Sequence, residues 1–195
     1  MSRILFIDTA SNCFRPRDKS EWEPHMVRYA AILEVDEGDD GTSETRVVLV
    51  RPEKGWRYLP ETSPYHKAGP EEMEAQGVPI GVAAAELQDL LRDVRLIVWH
   101  SANFHRKVMG SVFADAGIGD PPPPPETFDT CGGSADVVRV RLMSNGQWKP
   151  PSLAEAYRHF TGEEMVQSSN WRDHAVIQVN AVREVYQGVM RERGH

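Results

Sequence analysis

A chain of 195 residues, 40% of them hydrophobic, carries enough apolar material for one cored domain. Its 29 acidic residues outnumber 22 Lys and Arg, and the net charge of −7 excludes a broad electrostatic grip on nucleic acid, confining any such binding to a local basic patch. The apolar run Ile4 to Ile7 is too short for a signal-peptide core or a membrane span, and Cys13 and Cys131 have no metal-type spacing, so a cytoplasmic protein with two free thiols and no membrane partner is expected.

Arg3 to Asp8 reads as a buried first strand, Met26 to Val35 as a second and Arg46 to Arg51 as a third, with an acidic turn from Asp36 to Glu44 between the last two. Pro70, Glu71 and Glu72 open a short helix, and Gly81 precedes another whose apolar face is Val82, Leu87, Leu90 and Leu91. Arg95 to Trp99 is a compact strand ending at His100. Phe104, Val108, Val112 and Ala116 then recur at four-residue spacing, the pattern of a helix packed on a sheet.

Pro121 to Pro125 is expected to form a stiff connector. Glu126 to Thr130 reads as an edge strand, and about 131–149 as an irregular insertion containing the turn Asn145-Gly146. Ser152 with Glu155 has the form of a capping box for a helix to about Phe160, and a last helix from near Arg172 to Arg193 buries Ala175, Val179, Val182, Tyr186 and Val189. Strands first and then alternating strand and helix predict an α/β domain spanning 1–195, a mixed β-sheet flanked by α-helices.

Six segments in order resemble the DnaQ-like (DEDD) 3′–5′ exonucleases of the ribonuclease-H-like fold. Ile4 to Ala10 matches the strand ending Asp-x-Glu, His100 to His105 resembles His-Asn-x-x-Phe-Asp, and Asp173 to Gln178 resembles His-x-Ala-x-x-Asp. Tyr65 to Gly69, Phe128-Asp129-Thr130 and Lys149 to Tyr157 match three supporting segments. The resemblance implies four carboxylates holding two divalent metals and a histidine acting as general base.

Of those five positions only Asp8 keeps the family's residue. Ala10, His105 and Gln178 stand where carboxylates are implied, and Asp173 stands where the general base is implied. Sliding the last segment by one residue puts His174 in the general-base place but sets Val179 against the final Asp, which makes the match worse. Two carboxylates do not neutralise two magnesium ions, so no resident cofactor is expected. The alternative is a hydrolase using a single manganese, zinc or nickel ion held by Asp8, His105 and Asp173. Against both stands the ordinary reading of Asp173 as a carboxylate at a helix N-terminus and of His105 as a partly exposed residue at a helix start.

Arg15, Arg17 and Lys19 follow the first segment and Arg106 and Lys107 follow His105, a set of basic residues placed to meet phosphate around the same cleft. Trp22, Trp56 and Trp171 are candidates for stacking or for packing. The expectation is a catalytically degenerate exonuclease-like protein that binds single-stranded or 3′-terminal nucleic acid, or a protein partner in a nucleic-acid-processing complex. A purely structural subunit of a larger assembly is the third reading.

Overall fold

The computed structural model describes residues 2–11, 27–37, 43–51, 67–119 and 126–194. Five strands, β1 (Ser2–Ser11), β2 (Val27–Glu37), β3 (Ser43–Leu49), β4 (Val94–Trp99) and β5 (Glu126–Asp129), form one sheet in the order β3-β2-β1-β4-β5. The first three make an antiparallel meander, while β4 and β5 run parallel to β1 and to each other. Parallel pairs need a crossover, and helices supply it. In chain order the helices are α1 (Pro70–Gln76), α2 (Ile80–Leu90), α3 (Ala102–Asp115), α4 (Thr130–Gly133), α5 (Ala135–Val138), α6 (Leu153–Thr161) and α7 (Trp171–Glu192).

The period-two alternation of β1 divides the core. Leu5 and Ile7 join Ile97 and Trp99 of β4 in a cluster with Ala83, Ala84 and Leu87 of α2 and Val108, Val112 and Phe113 of α3. Ile4, Phe6 and Ala10 face the other way, into a cluster with Leu96, Val98 and Trp171, Ala175, Val179 and Val182 of α7. Asp8 therefore shares its parity with the α7 side, and Thr9 with the α3 side.

Several local signals appear as expected. Ser152 caps α6 by accepting from the Glu155 N–H, and the Glu155 carboxylate accepts the Ser152 N–H at 2.7 Å. Pro70 occupies the first turn of α1, where its missing N–H costs nothing, and Glu72 reaches back to the Gly69 N–H at 2.7 Å. Of the expected α7 face, Ala175, Val179, Val182 and Val189 are buried, and Tyr186 is half-buried.

Two helix faces differ from the sequence reading. A strict four-residue repeat drifts by about 40° per step on a helix of 3.6 residues per turn, so the ends of a long stripe cannot both face the core. On α3 the buried set is His105, Val108, Met109, Ser111, Val112 and Phe113, and Phe104 keeps 37% of its exposure. Likewise α2 starts at Ile80 after Pro79, buries Ile80, Ala83, Ala84, Leu87 and Leu90, and leaves Val82 at 52% exposure. The segment expected to be irregular holds α4, α5 and a small hairpin, in which Leu142 pairs with Trp148 around Gly146 at φ 78°.

Helices α6 and α7 pack tightly at Gly188, where a Cβ would stand 2.4 Å from Cγ of Phe160. Helix propensity alone favours Ala over Gly by about 1 kcal/mol. Overpacking against the ring outweighs it, so Gly188→Ala is expected to lower the unfolding free energy by about 1–3 kcal/mol in urea titration. A stabilised variant would mean that the two helices separate freely.

Candidate functional site

The candidate site lies where β1 and β4 part. Their last paired residues are Ile7 and Trp99, and β1 continues to Ser11 while the chain after β4 turns into α3. In open α/β sheets the carboxyl ends of the strands are the usual place for a ligand crevice. Here the divergence leaves two backbone groups without a strand partner, the Thr9 N–H and the His100 C=O.

One imidazole serves both. The Thr9 N–H donates to Nδ1 of His105 at 3.2 Å, with the Thr9 hydroxyl also 2.9 Å from that nitrogen. Nε2 of His105 is 2.7 Å from the His100 carbonyl oxygen and must carry the proton it donates there. These partners select the neutral Nε2–H tautomer. The ring is 5% exposed and stacks on Trp99, with centroids 6.1 Å apart. Burial pushes its pKa down to about 4, against the pull of the His100 carbonyl. The expected partly exposed residue is thus a buried splice between two strand ends.

Asp8 lies beside the splice without joining it. Its Oδ1 is 3.7 Å from Nε2 of His105, beyond hydrogen-bond range, and that nitrogen's proton is already given to His100. The Asp8 side chain keeps 15% exposure, and burial pushes its pKa up to about 7.

The start of α3 is fixed from β5. Asp129 Oδ1 accepts the Ser101 N–H at 2.9 Å and the Cys131 N–H at 3.0 Å, and its Oδ2 accepts the Ala102 N–H at 3.1 Å. This one carboxylate holds the first turns of α3 and α4, and it supports Ser101 in the left-handed region at φ 73°. The Thr130 hydroxyl donates to the Trp99 carbonyl at 2.9 Å. His100 sits between that hydroxyl, 2.9 Å from Nδ1, and the Pro151 carbonyl, 3.1 Å from Nε2. Burial lowers the His100 pKa.

The remaining expected residues are distributed as follows. Ala10 is a buried core residue, with no donor atom in its side chain. Asp173 is exposed in the first turn of α7, after Asn170, whose side chain accepts the Arg172 and Asp173 N–H groups at 2.9 and 3.1 Å. Gln178 is half-buried farther along α7, and His174 is buried. Arg106 and Lys107 are exposed on α3 beside Phe104, whose ring meets His105 edge-on at 5.2 Å. Arg15, Arg17 and Lys19, with Cys13, Trp22, Trp56, Tyr65, His66 and Pro121 to Pro125, lie outside the described residues. Trp171 is 2% exposed and belongs to the core, so it offers no stacking face.

The donor set does not fit the implied pair of metals. Among the described residues no three His, Cys, Asp or Glu side chains come together in a group able to hold a metal ion. The trio Asp8, His105 and Asp173 is therefore not assembled, and the physical reason is visible at His105. Its Nδ1 lone pair is taken by Thr9 and its Nε2 carries a proton, so neither nitrogen is available as a ligand.

A mixed sheet of order β3-β2-β1-β4-β5, with helices on both faces and the site at the β1–β4 divergence, defines a ribonuclease-H-like α/β fold of the exonuclease type. The solved structures it resembles include E. coli exonuclease I. With the complex of that enzyme and a 5cy-dA13 oligonucleotide the TM-score is 0.70 at 15% identity, over 98% of this chain and 41% of that one. The dT13 complex gives 0.68 at 15% identity, over 100% and 43%. The zinc ion bound form of the enzyme with single-stranded DNA gives 0.68 at 19% identity, over 98% and 41%. The chain thus spans less than half the length of the exonuclease I chains it matches. At these identities the likeness is one of fold. No family model and no curated protein sequence matches the chain. Among the described residues no helix is long and apolar enough to cross a membrane.

Proposed function

We propose that this protein is a pseudo-exonuclease: a nucleic-acid-binding module on an exonuclease fold, without two-metal hydrolysis. The observation that carries the reading is His105, which stands at the third of the four carboxylate positions that the resemblance implies and has both ring nitrogens committed to backbone groups. Ala10 and Gln178 stand at two further positions where the resemblance implies carboxylates.

The same changes suit binding. Fewer negative charges at the β1–β4 site repel phosphate less, and exposed Arg106 and Lys107 follow His105 on α3. Phe104, absent from the sequence-derived candidates, presents an exposed ring beside those cations and is braced by the His105 edge contact. An exposed aromatic next to basic side chains is the composition of a platform for unpaired bases. Solved exonuclease I structures include complexes with dT13 and 5cy-dA13 oligonucleotides and with single-stranded DNA, which supports the same ligand class here. This reading takes residues 1–195 as a single exonuclease-like domain working in the cytoplasm.

A fluorescently 3′-labelled single strand provides the test. With magnesium present, the strand is expected to stay intact while anisotropy reports binding that weakens as salt rises. Phe104→Ala is expected to weaken binding about tenfold, within the range of one lost stacking contact. Arg106→Ala is expected to reduce the salt slope by roughly one. Magnesium-dependent release of mononucleotides from the wild-type chain would sink the proposal.

A further inference from the structure

Away from the β1–β4 site, two surface features complement each other. The first is a groove of about 480 Å³ between α6, the loop after it and α7. Its apolar walls include Met165, Val166, Val176 and Ile177, with Val166 67% exposed. Glu163 and Glu184 line the same groove. Neighbouring Glu164 is paired with Arg158 at 2.7 Å, whereas neither groove glutamate has an ion pair among the described residues.

The second is the hairpin after α5. Met143 N–H donates to the Gln147 carbonyl and Lys149 N–H to the Arg141 carbonyl, each at 2.8 Å, so the strands are fixed around Gly146. Val140 and Leu142 are 36% and 57% exposed. They alternate with Arg139 and Arg141, both exposed. Arg139 lies 5.8 Å over the Trp148 ring and donates from Nε to the Asp136 carbonyl. Large exposed aliphatic side chains bracketed by charge are a common signature of a protein contact.

We propose that the groove receives this hairpin from a second copy of the chain, with Leu142 entering between Met165 and Val166 while Arg139 and Arg141 meet Glu163 and Glu184. Each side supplies what the other lacks: an apolar slot with unpaired carboxylates, and an apolar knob between guanidinium groups. Because the two surfaces differ, the contact is heterologous and head-to-tail, and it propagates into a ring or an open chain unless one surface is blocked. Its small apolar content places it among weak, concentration-dependent associations. The association is independent of the nucleic-acid reading, since neither surface includes a residue of the β1–β4 site.

That head-to-tail character gives the test. Sedimentation velocity of the full chain from micromolar to sub-millimolar concentration is expected to show a sedimentation coefficient that rises with concentration. Leu142→Asp damages only the knob, and Glu163→Lys with Glu184→Lys damages only the slot. All three residues line the surface, and circular dichroism checks that both variants fold. Each variant alone is expected to be monomeric, and an equimolar mixture is expected to form dimers and nothing larger, because one variant keeps an intact slot and the other an intact knob. A wild-type chain that is monomeric throughout, association that survives in either variant, or a mixture that stays monomeric would each overturn the proposal.

Discussion

His105→Ala is expected to lower the unfolding free energy by about 3–5 kcal/mol, read from chemical denaturation at neutral pH. The ring is the partner of two buried backbone groups, the Thr9 N–H and the His100 C=O. Leaving each without a partner costs about 1–3 kcal/mol, and the lost stacking against Trp99 adds a cavity. The geometry also ranks the replacements. Gln offers one acceptor and one donor, as the neutral imidazole does, and is expected to recover part of the loss. Asp, the residue the exonuclease resemblance implies here, accepts the Thr9 N–H but turns a second acceptor toward the His100 carbonyl. His105→Asp is therefore expected to behave like Ala in stability and to leave magnesium-dependent hydrolysis absent. A His105→Asp variant as stable as the wild type would show that the splice is dispensable.

The same ring sets a pH dependence. Its pKa is about 4 in the folded chain and near 6.5 when unfolded. Between those values the unfolded chain takes up a proton that the folded chain refuses, so acidification favours unfolding. The His105 contribution is complete above pH ~6.5, is lost as pH falls through this window, and does not change further below pH ~4, a total of about 3 kcal/mol.

What the sequence made legible follows the range of the interactions. The alternation in β1, the Ser152 and Glu155 box and the α7 stripe are local patterns, and the structure contains them. The order of six short segments pointed to the fold that the exonuclease I structures share. The role of His105 was not legible, because it depends on a contact across 96 residues and on where β1 and β4 cease to pair. Asp129 is similar: its ligands are amides 27 and 28 residues away, brought to it only when β5 lies beside β4. Phe104 was hidden by a periodicity argument that ignored helical drift, and the same error concealed that His105 occupies the buried stripe. Residue types thus reported where the chain departs from the exonuclease pattern, while tertiary geometry reports what His105 contacts instead.

Asp8→Asn is expected to stabilise the protein at pH 7 and above, by as much as about 4 kcal/mol. Asp8 titrates at about 7 in the folded chain because burial disfavours its charge, against 3.8 for an unperturbed carboxyl. Between these values the folded chain keeps a proton that the unfolded chain has released. Stability from this group is therefore fully present below pH ~3.8 and is lost as pH rises to about 7. Asn imitates the protonated form at every pH, so the variant and the wild type are expected to converge near pH 4 and to diverge toward neutrality. The slope of Asp8 opposes that of His105 over the shared window from about 4 to 6.5, which flattens the wild-type profile. In Asp8→Asn the opposing slope is gone, and stability falls more steeply on acidification than in the wild type. In His105→Ala the profile is expected to change the other way and fall less steeply, with the buried His100, whose pKa is also lowered, still adding a slope of the His105 sign. Buried carboxylates that cost stability are concentrated at functional sites, where the charge meets a ligand. The oligonucleotide measurement on Asp8→Asn then separates the two uses of such a charge. A residue serving as a metal ligand would lose binding or hydrolysis with the substitution. In a cleft that only receives phosphate, removing the charge leaves binding intact or tightens it, and that is the expected result.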